Sequence, residues 1–230
     1  MFKDTMKGLD RIFETDISAP KTVLVTGPPG SMKTTFIFSI LSKYLAQTDE
    51  YSFYITLEQN EESLRESLTK AHIDIHPKMQ IVDFTKIRQD RDVSQADFMG
   101  YIIKLLEHIK EQYKDQFKVF ALDSLGALYS LIEEEEEMRI KVYDFVQLLN
   151  EMGLFSFIVM ERSLDDVADL KGNEGFLADG IIYLGLDVRD GRVSRYIQVE
   201  KMRSCIHSME RFGVQVGETG MEILRPMFDQ

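Results

Sequence analysis

The 230-residue chain is 44% hydrophobic and 29% charged, enough apolar content to bury a core without disulfides or metals. A lone cysteine, Cys205, excludes an internal disulfide, and no paired Cys/His spacing offers a zinc site. A formal charge of −12 and a pI near 4.9 disfavour nucleic acid as a partner. No apolar run reaches the roughly 18 residues of a membrane span, and the charge-broken start MFKDTMKGLDRIFETD does not read as a signal peptide, so a cytoplasmic chain without membrane insertion is expected.

In chain order, Lys21 to Thr26 is a β-branched strand ending on Gly27 and a proline pair, and Thr34 to Ala46 follows as a helix. Tyr51 to Leu57 reads as the next strand. Glu61 to Ala71 carries Leu64, Leu68 and Ala71 at helical spacing behind an Asn60 cap. Met79 to Phe84 is a third strand, and Ala96 to Tyr113 places Phe98, Ile102, Leu105, Leu106 and Ile109 along one face of a long helix. A buried strand at Phe117 to Leu122, a helix from about Glu135 to Met152 with its stripe at Met138, Val142, Phe145, Val146 and Leu149, and a strand at Phe155 to Met160 continue the alternation.

Strands apolar on both faces, alternating with helices, predict an α/β fold with a mostly parallel sheet covered on each side. After Glu174 the pattern changes to strands at Gly180 to Leu186, Arg195 to Lys201, Met209 to Val214 and Met221 to Leu224. Turns at Arg189-Asp190-Gly191 and Glu218-Thr219-Gly220 join them, so the C-terminal third is expected to be antiparallel. With five prolines and no Pro-, Gly- or Ser-rich linker, residues 1–230 are expected to form one domain.

The segment Gly27-Pro28-Pro29-Gly30-Ser31-Met32-Lys33-Thr34 matches the phosphate-loop pattern G-x-x-x-x-G-K-[ST] except at Met32. Backbone N–H groups of the loop and of the helix start through Thr35 are expected to wrap a β-phosphate, with Lys33 between β and γ oxygens and the Thr34 hydroxyl on magnesium. Met32 stands where the pattern has its last glycine, so its side chain must point away from the phosphates and its backbone is expected at negative φ.

The strand at Phe117 to Leu122 delivers Asp123-Ser124 at its carboxyl end, where open parallel sheets place ligands. Asp123 there is suited to hold magnesium opposite Thr34, the alternative being a helix cap. Tyr51 to Leu57 similarly delivers Glu58-Gln59, and Glu58 is in reach of an attacking water unless it is a solvated loop residue. Glu161 and Arg162 end FSFIVM and are placed either to sense a γ-phosphate or to form a surface ion pair.

These pieces in this order resemble the KaiC-like branch of the RecA superfamily of P-loop ATPases over nearly the whole chain. Gly8 to Asp10 (GLD) looks like the family's opening segment, YITLEQ (Tyr54 to Gln59) is similar to its strand ending in paired glutamates, and Glu174 to Leu184 and Val199 to Leu224 are similar to its final strands. The resemblance implies ATP and Mg2+ as cofactors and Glu58 as the glutamate that activates water. Gln59 departs from the usual second glutamate, which bears on the hydrolysis rate. It also implies a ring, expected to be hexameric, in which Lys201 and Arg203 of a K-x-R element reach the γ-phosphate of the adjacent subunit. Two cations separated by one residue on a strand point the same way, which suits that role. His207 falls at the family's nucleotide-contacting histidine.

The expected function is an ATP-hydrolysing switch acting as a homo-oligomer on an unidentified protein partner. A DNA motor of the same fold is the alternative, but RSLDDVADLKGNEGF from Arg162 to Phe176 is net negative and lacks basic–aromatic interleaving. A nucleotide-binding scaffold with little turnover, as proposed for archaellum-type KaiC homologues, is a third reading given Met32 and Gln59. The acidic run Glu133 to Glu137 reads as the solvated start of a helix.

Overall fold

In the computed structural model, residues 2–85, 98–129, 135–162, 177–218 and 220–227 are described, with residues 135–138 described by backbone alone. The acidic tract's side chains, most of the acidic segment 162–176 and the first residues of the helix predicted from Ala96 lie outside that set.

The most deeply buried strand is β1 (Lys21–Gly27), whose Thr22, Val23, Val25 and Thr26 suit a pleated, enclosed surface. It pairs in parallel with β5 (Phe155–Glu161) on one side and β6 (Gly180–Arg189) on the other. Strands β2 (Tyr51–Thr56), β3 (Met79–Asp83) and β4 (Phe117–Asp123) extend the parallel sheet, and β7 (Arg192–Met202), β8 (Phe212–Gly217) and β9 (Gly220–Pro226) close it antiparallel. The resulting nine-stranded order is β3-β2-β4-β5-β1-β6-β7-β8-β9, the mixed α/β architecture the alternation predicts.

Period-two alternation sorts the core into two layers. Val23 and Val25 of β1, Val119 and Ala121 of β4, and Phe157 and Val159 of β5 face a cluster containing Phe36, Ile37, Ile40 and Leu41 of α1 (Lys33–Ala46). Leu24, Phe120, Leu122 and Ile158 face the opposite way, against α3 (Phe98–Tyr113) and α5 (Glu135–Glu151) through Ile102, Leu106, Phe145 and Leu149. Helix α2 (Glu61–Lys70) starts where predicted, with the Asn60 side chain accepting from the Ser63 N–H at 2.9 Å. Helix α1 is apolar on more than one face because β9 covers it, the Met221 N–H donating to Ser39 Oγ.

Four features depart from the sequence expectation. The N-terminal segment forms two 3-10 turns, Phe2–Asp4 and Leu9–Arg11, that bury Phe2 and Leu9; each is too short to carry a period. A short helix, α4 (Leu125–Tyr129), follows β4. Strand β7 begins three residues earlier than predicted, because the Asp190-Gly191 turn, both residues at positive φ, brings Arg189 and Arg192 into register. Strand β8 runs from Phe212 to Gly217 rather than Met209 to Val214, and Met209 lies exposed, its carbonyl taking a hydrogen bond from Gln198 Nε2.

Candidate nucleotide site

The carboxyl ends of β1, β2, β4 and β5 surround a cavity of about 260 Å³ lined by Pro29, Gly30, Met32, Lys33, Thr34, Glu58, Gln59, Asp123, Val159 and Glu161. The parallel sheet makes this edge a collecting point, since the connections from β1, β2 and β4 to the helices that follow them leave from it. The loop leaving β1 turns through three left-handed or extended-positive positions, Gly27 at φ 146, Gly30 at φ 76 and Met32 at φ 76. A Cβ on Gly27 would stand 1.9 Å from the Leu184 carbonyl oxygen, so only glycine fits there.

Met32 corrects the sequence expectation of negative φ. It sits at φ 76, ψ 31 immediately before α1. A tight entry into the helix needs a left-handed residue whatever its side chain, and Met32 accepts that strain while its side chain packs against the α1-side core.

Lys33 is nearly buried, its ammonium donating to the carbonyl oxygens of Gly27 and Pro28 at 3.0 Å each and standing 3.9 Å from Glu161. Burial holds its pKa below the ordinary lysine value, against the opposing pull of Glu161, Asp123 and Glu58. The N–H groups of the first turn of α1, Thr35 included, have no partner within the helix. Ser31 is fully buried with an Oγ that finds no protein partner among the described residues. Unpaired donors converging beside an ammonium are a phosphate-binding arrangement.

Across the cavity, Thr34 Oγ1 donates to Asp123 Oδ2 at 2.7 Å, and the buried Tyr54 hydroxyl donates to the same oxygen. Burial pushes the Asp123 carboxyl above its ordinary range, only partly offset by those two hydrogen bonds. The Tyr54 hydroxyl is pushed up as well, by burial first and by Asp123 second. A threonine hydroxyl and a carboxylate are hard oxygen donors of the kind magnesium takes, so the pair fits that ion. Glu58 is exposed at the cavity mouth and accepts a hydrogen bond from Ser124 Oγ, which orients a carboxylate otherwise free to rotate. Gln59 turns its amide to α2, donating to Ser63 Oγ at 2.9 Å.

A family model described as "ATPase: KaiC" matches residues 2–227. The chain belongs to the KaiC ATPase family. It is 25% identical over 213 residues to the circadian clock protein KaiC3 of Synechocystis, covering 89% of this chain and 41% of that one, so it spans about two-fifths of the clock proteins it matches. A UPF0273 protein of Thermotoga maritima is 26% identical over 235 residues, 96% of this chain and 94% of that protein. The crystal structure of a KaiC-like protein from Pyrococcus horikoshii superposes with a TM-score of 0.81 at 25% identity, over 96% and 97% of the two chains. Similarity to KaiC-family proteins thus extends both to proteins of this length and to longer ones.

Of the predicted site residues of this KaiC-family chain, Gly27, Pro28, Ser31 and Thr35 belong to the loop and helix start beside the cavity without lining it, whereas Lys201, Arg203 and His207 are engaged elsewhere. Lys201 donates to the Ala178 carbonyl oxygen at 2.7 Å. Arg203 lies beyond β7, which ends at Met202, with NH1 3.6 Å from Asp179. Only Lys201 belongs to that strand, and Arg203 opens the turn that follows, with Ser204 at φ 56. His207 bridges to Phe13, with Nδ1 3.2 Å from the Cys205 carbonyl oxygen and a buried Nε2 lacking a protein partner among the described residues.

Arg162 is no surface residue either. It is buried, paired with Glu200 through two hydrogen bonds at 2.9 and 2.8 Å, and stacked over the Tyr183 ring at 5.0 Å. Sequence reasoning also missed Tyr54, Ser124 and Arg195, whose Nε donates to the Gly30 carbonyl oxygen at 3.0 Å. Tyr54 has no distinguishing signal, being one of four hydroxyl-bearing residues in β2, with Tyr51, Ser52 and Thr56. Arg195 has none, since it comes from the far side of β6.

Proposed function

We propose that residues 1–230 act as one Mg-ATP-binding, slowly ATP-hydrolysing domain that works as a homo-oligomer, expected to be a hexameric ring, and passes its nucleotide state to a protein partner. The observation that carries the reading is the convergence of Lys33, the Thr34–Asp123 pair and the Ser124-oriented Glu58 around one cavity. Gly27, Pro28, Pro29, Gly30, Ser31, Met32, Lys33, Thr34 and Thr35 would hold the phosphates, and Thr34 and Asp123 the metal. Magnesium, when bound, would neutralise β- and γ-phosphate oxygens. Lys33 stabilises charge on the transferred phosphoryl group, and Glu58 accepts a proton from the attacking water at its free carboxylate oxygen.

The placement of Lys201 and Arg203 outside the chain's own cavity supports a role for them in trans, toward a neighbouring copy. His207, away from the cavity as well, would meet nucleotide only across the same junction. Gln59, tied back to α2, and the strained Met32 support slow turnover.

Phosphate release separates the readings. Lys33→Ala is expected to abolish nucleotide binding, and Glu58→Gln to lower hydrolysis by about 10²-fold or more while leaving binding intact. Equal rates for wild type and Glu58→Gln would remove Glu58 from the mechanism. Gel filtration with and without ATP tests assembly, with a monomer under both conditions counting against it.

A further inference from the structure

The described lining of the cavity sets three carboxylates, Glu58, Asp123 and Glu161, against one ammonium, Lys33. Two of the carboxylates have evident engagements, Asp123 with Thr34 and Tyr54 and Glu58 with Ser124. Glu161 is different. Its side chain is 50% exposed and its Oε1 stands 3.9 Å from the Lys33 ammonium, in the space an incoming phosphate oxygen would need.

Glu161 is also held in place. The parallel register sets it opposite Gly27, the first residue of the loop. The N–H of the next residue, Arg162, donates to the Gly27 carbonyl oxygen, the same oxygen that accepts from Lys33 Nζ. The Arg162 guanidinium then reaches past β1 and β6 to Glu200 on β7 and covers Tyr183. A two-point, largely buried ion pair spanning four adjacent strands leaves the Glu161 backbone no route of retreat, so its carboxylate can leave Lys33 only by rotating about its own side-chain bonds.

We propose that Glu161 is a fixed counter-ion for Lys33 that makes capture of a polyphosphate depend on a divalent cation, with the Arg162–Glu200 pair as its positioning device. The inference rests on the nucleotide-binding reading above. Metal-free triphosphate brings its full negative charge to a net-negative cavity and must displace Glu161 from Lys33 without help. The magnesium complex carries less charge and meets less repulsion. A glutamine of the same shape removes the competition while leaving the packing unchanged.

The test is titration calorimetry of wild type and Glu161→Gln with Mg-ATP and with ATP in excess chelator. Glu161→Gln is expected to bind metal-free ATP about tenfold more tightly than wild type, with Mg-ATP affinity changed by less than about twofold. Glu161→Asp, which keeps the charge but withdraws it by one methylene, is expected to fall between. Arg162→Lys, which keeps the cation but loses the two-point hold, is expected to shift the same ratio partway. An unchanged ratio of the two affinities in Glu161→Gln, with wild type binding Mg-ATP, overturns the counter-ion role and leaves the nucleotide site standing. Wild type binding neither form overturns both.

Discussion

Replacing Met32 with glycine and with alanine separates backbone conformation from packing. Both variants lose the methionine contacts with the α1-side core, so that loss nearly cancels between them. Where φ is negative, glycine is less stable than alanine by about 0.5–1 kcal/mol, because the unfolded chain gains freedom. At φ 76 and ψ 31 alanine carries the left-handed clash between Cβ and carbonyl oxygen, about 1–2 kcal/mol, which glycine avoids. Taken at the middle of each range, the difference leaves Met32→Gly more stable than Met32→Ala by about 0.7 kcal/mol, the reverse of the usual helix ranking. Urea unfolding without nucleotide reads this as a higher midpoint at unchanged m-value. A valine variant, β-branched and least tolerant of positive φ, should fall below both. Alanine equal to or above glycine would refute a left-handed Met32 and with it the loop geometry drawn here.

Two further expectations concern stability. The Asp123 carboxyl has its folded pKa raised by burial above the ordinary 3.8, so the folded state holds the proton more firmly than the unfolded chain. Its contribution is then complete below the unfolded value and is lost as pH rises through the raised one. Asp123→Asn, permanently neutral, should therefore gain on wild type as pH rises through that window, read as the difference between their urea midpoints. A constant difference counts against the buried carboxylate. Glu200→Gln leaves the buried Arg162 guanidinium without its counter-charge and should destabilise the fold by about 2 kcal/mol, below the usual 3–5 because Glu200 is 29% exposed. A thermal melt unchanged within about 1 °C would mean the pair contributes little.

Residues 27–34 are legible in the sequence as a candidate phosphate loop, because such a loop is a local object. Its glycines, its lysine and its helix start act within a single turn of chain. Asp123 and Glu58 are legible as candidates in the same way, each a carboxylate closing a strand. Lys201, Arg203 and His207 were placed by resemblance, and the fold keeps them out of the chain's own cavity, where one sequence cannot say which copy they serve. Arg162 read equally as a sensor or a surface pair; its true environment depends on Glu200, which is 38 residues away.

The sequence by itself determined the α/β alternation, the antiparallel strands that follow the Asp190-Gly191 turn and the loop-to-helix passage after β1, since side-chain periodicity and turn chemistry are decided over a few residues by local sterics. Only the tertiary structure decided that Met32 would be left-handed, that Tyr54 would share Asp123 with Thr34, and that Glu161 would face Lys33. Those contacts follow from the strand order β2-β4-β5-β1, which brings together residues separated by tens to more than a hundred positions and leaves no periodic trace in the chain.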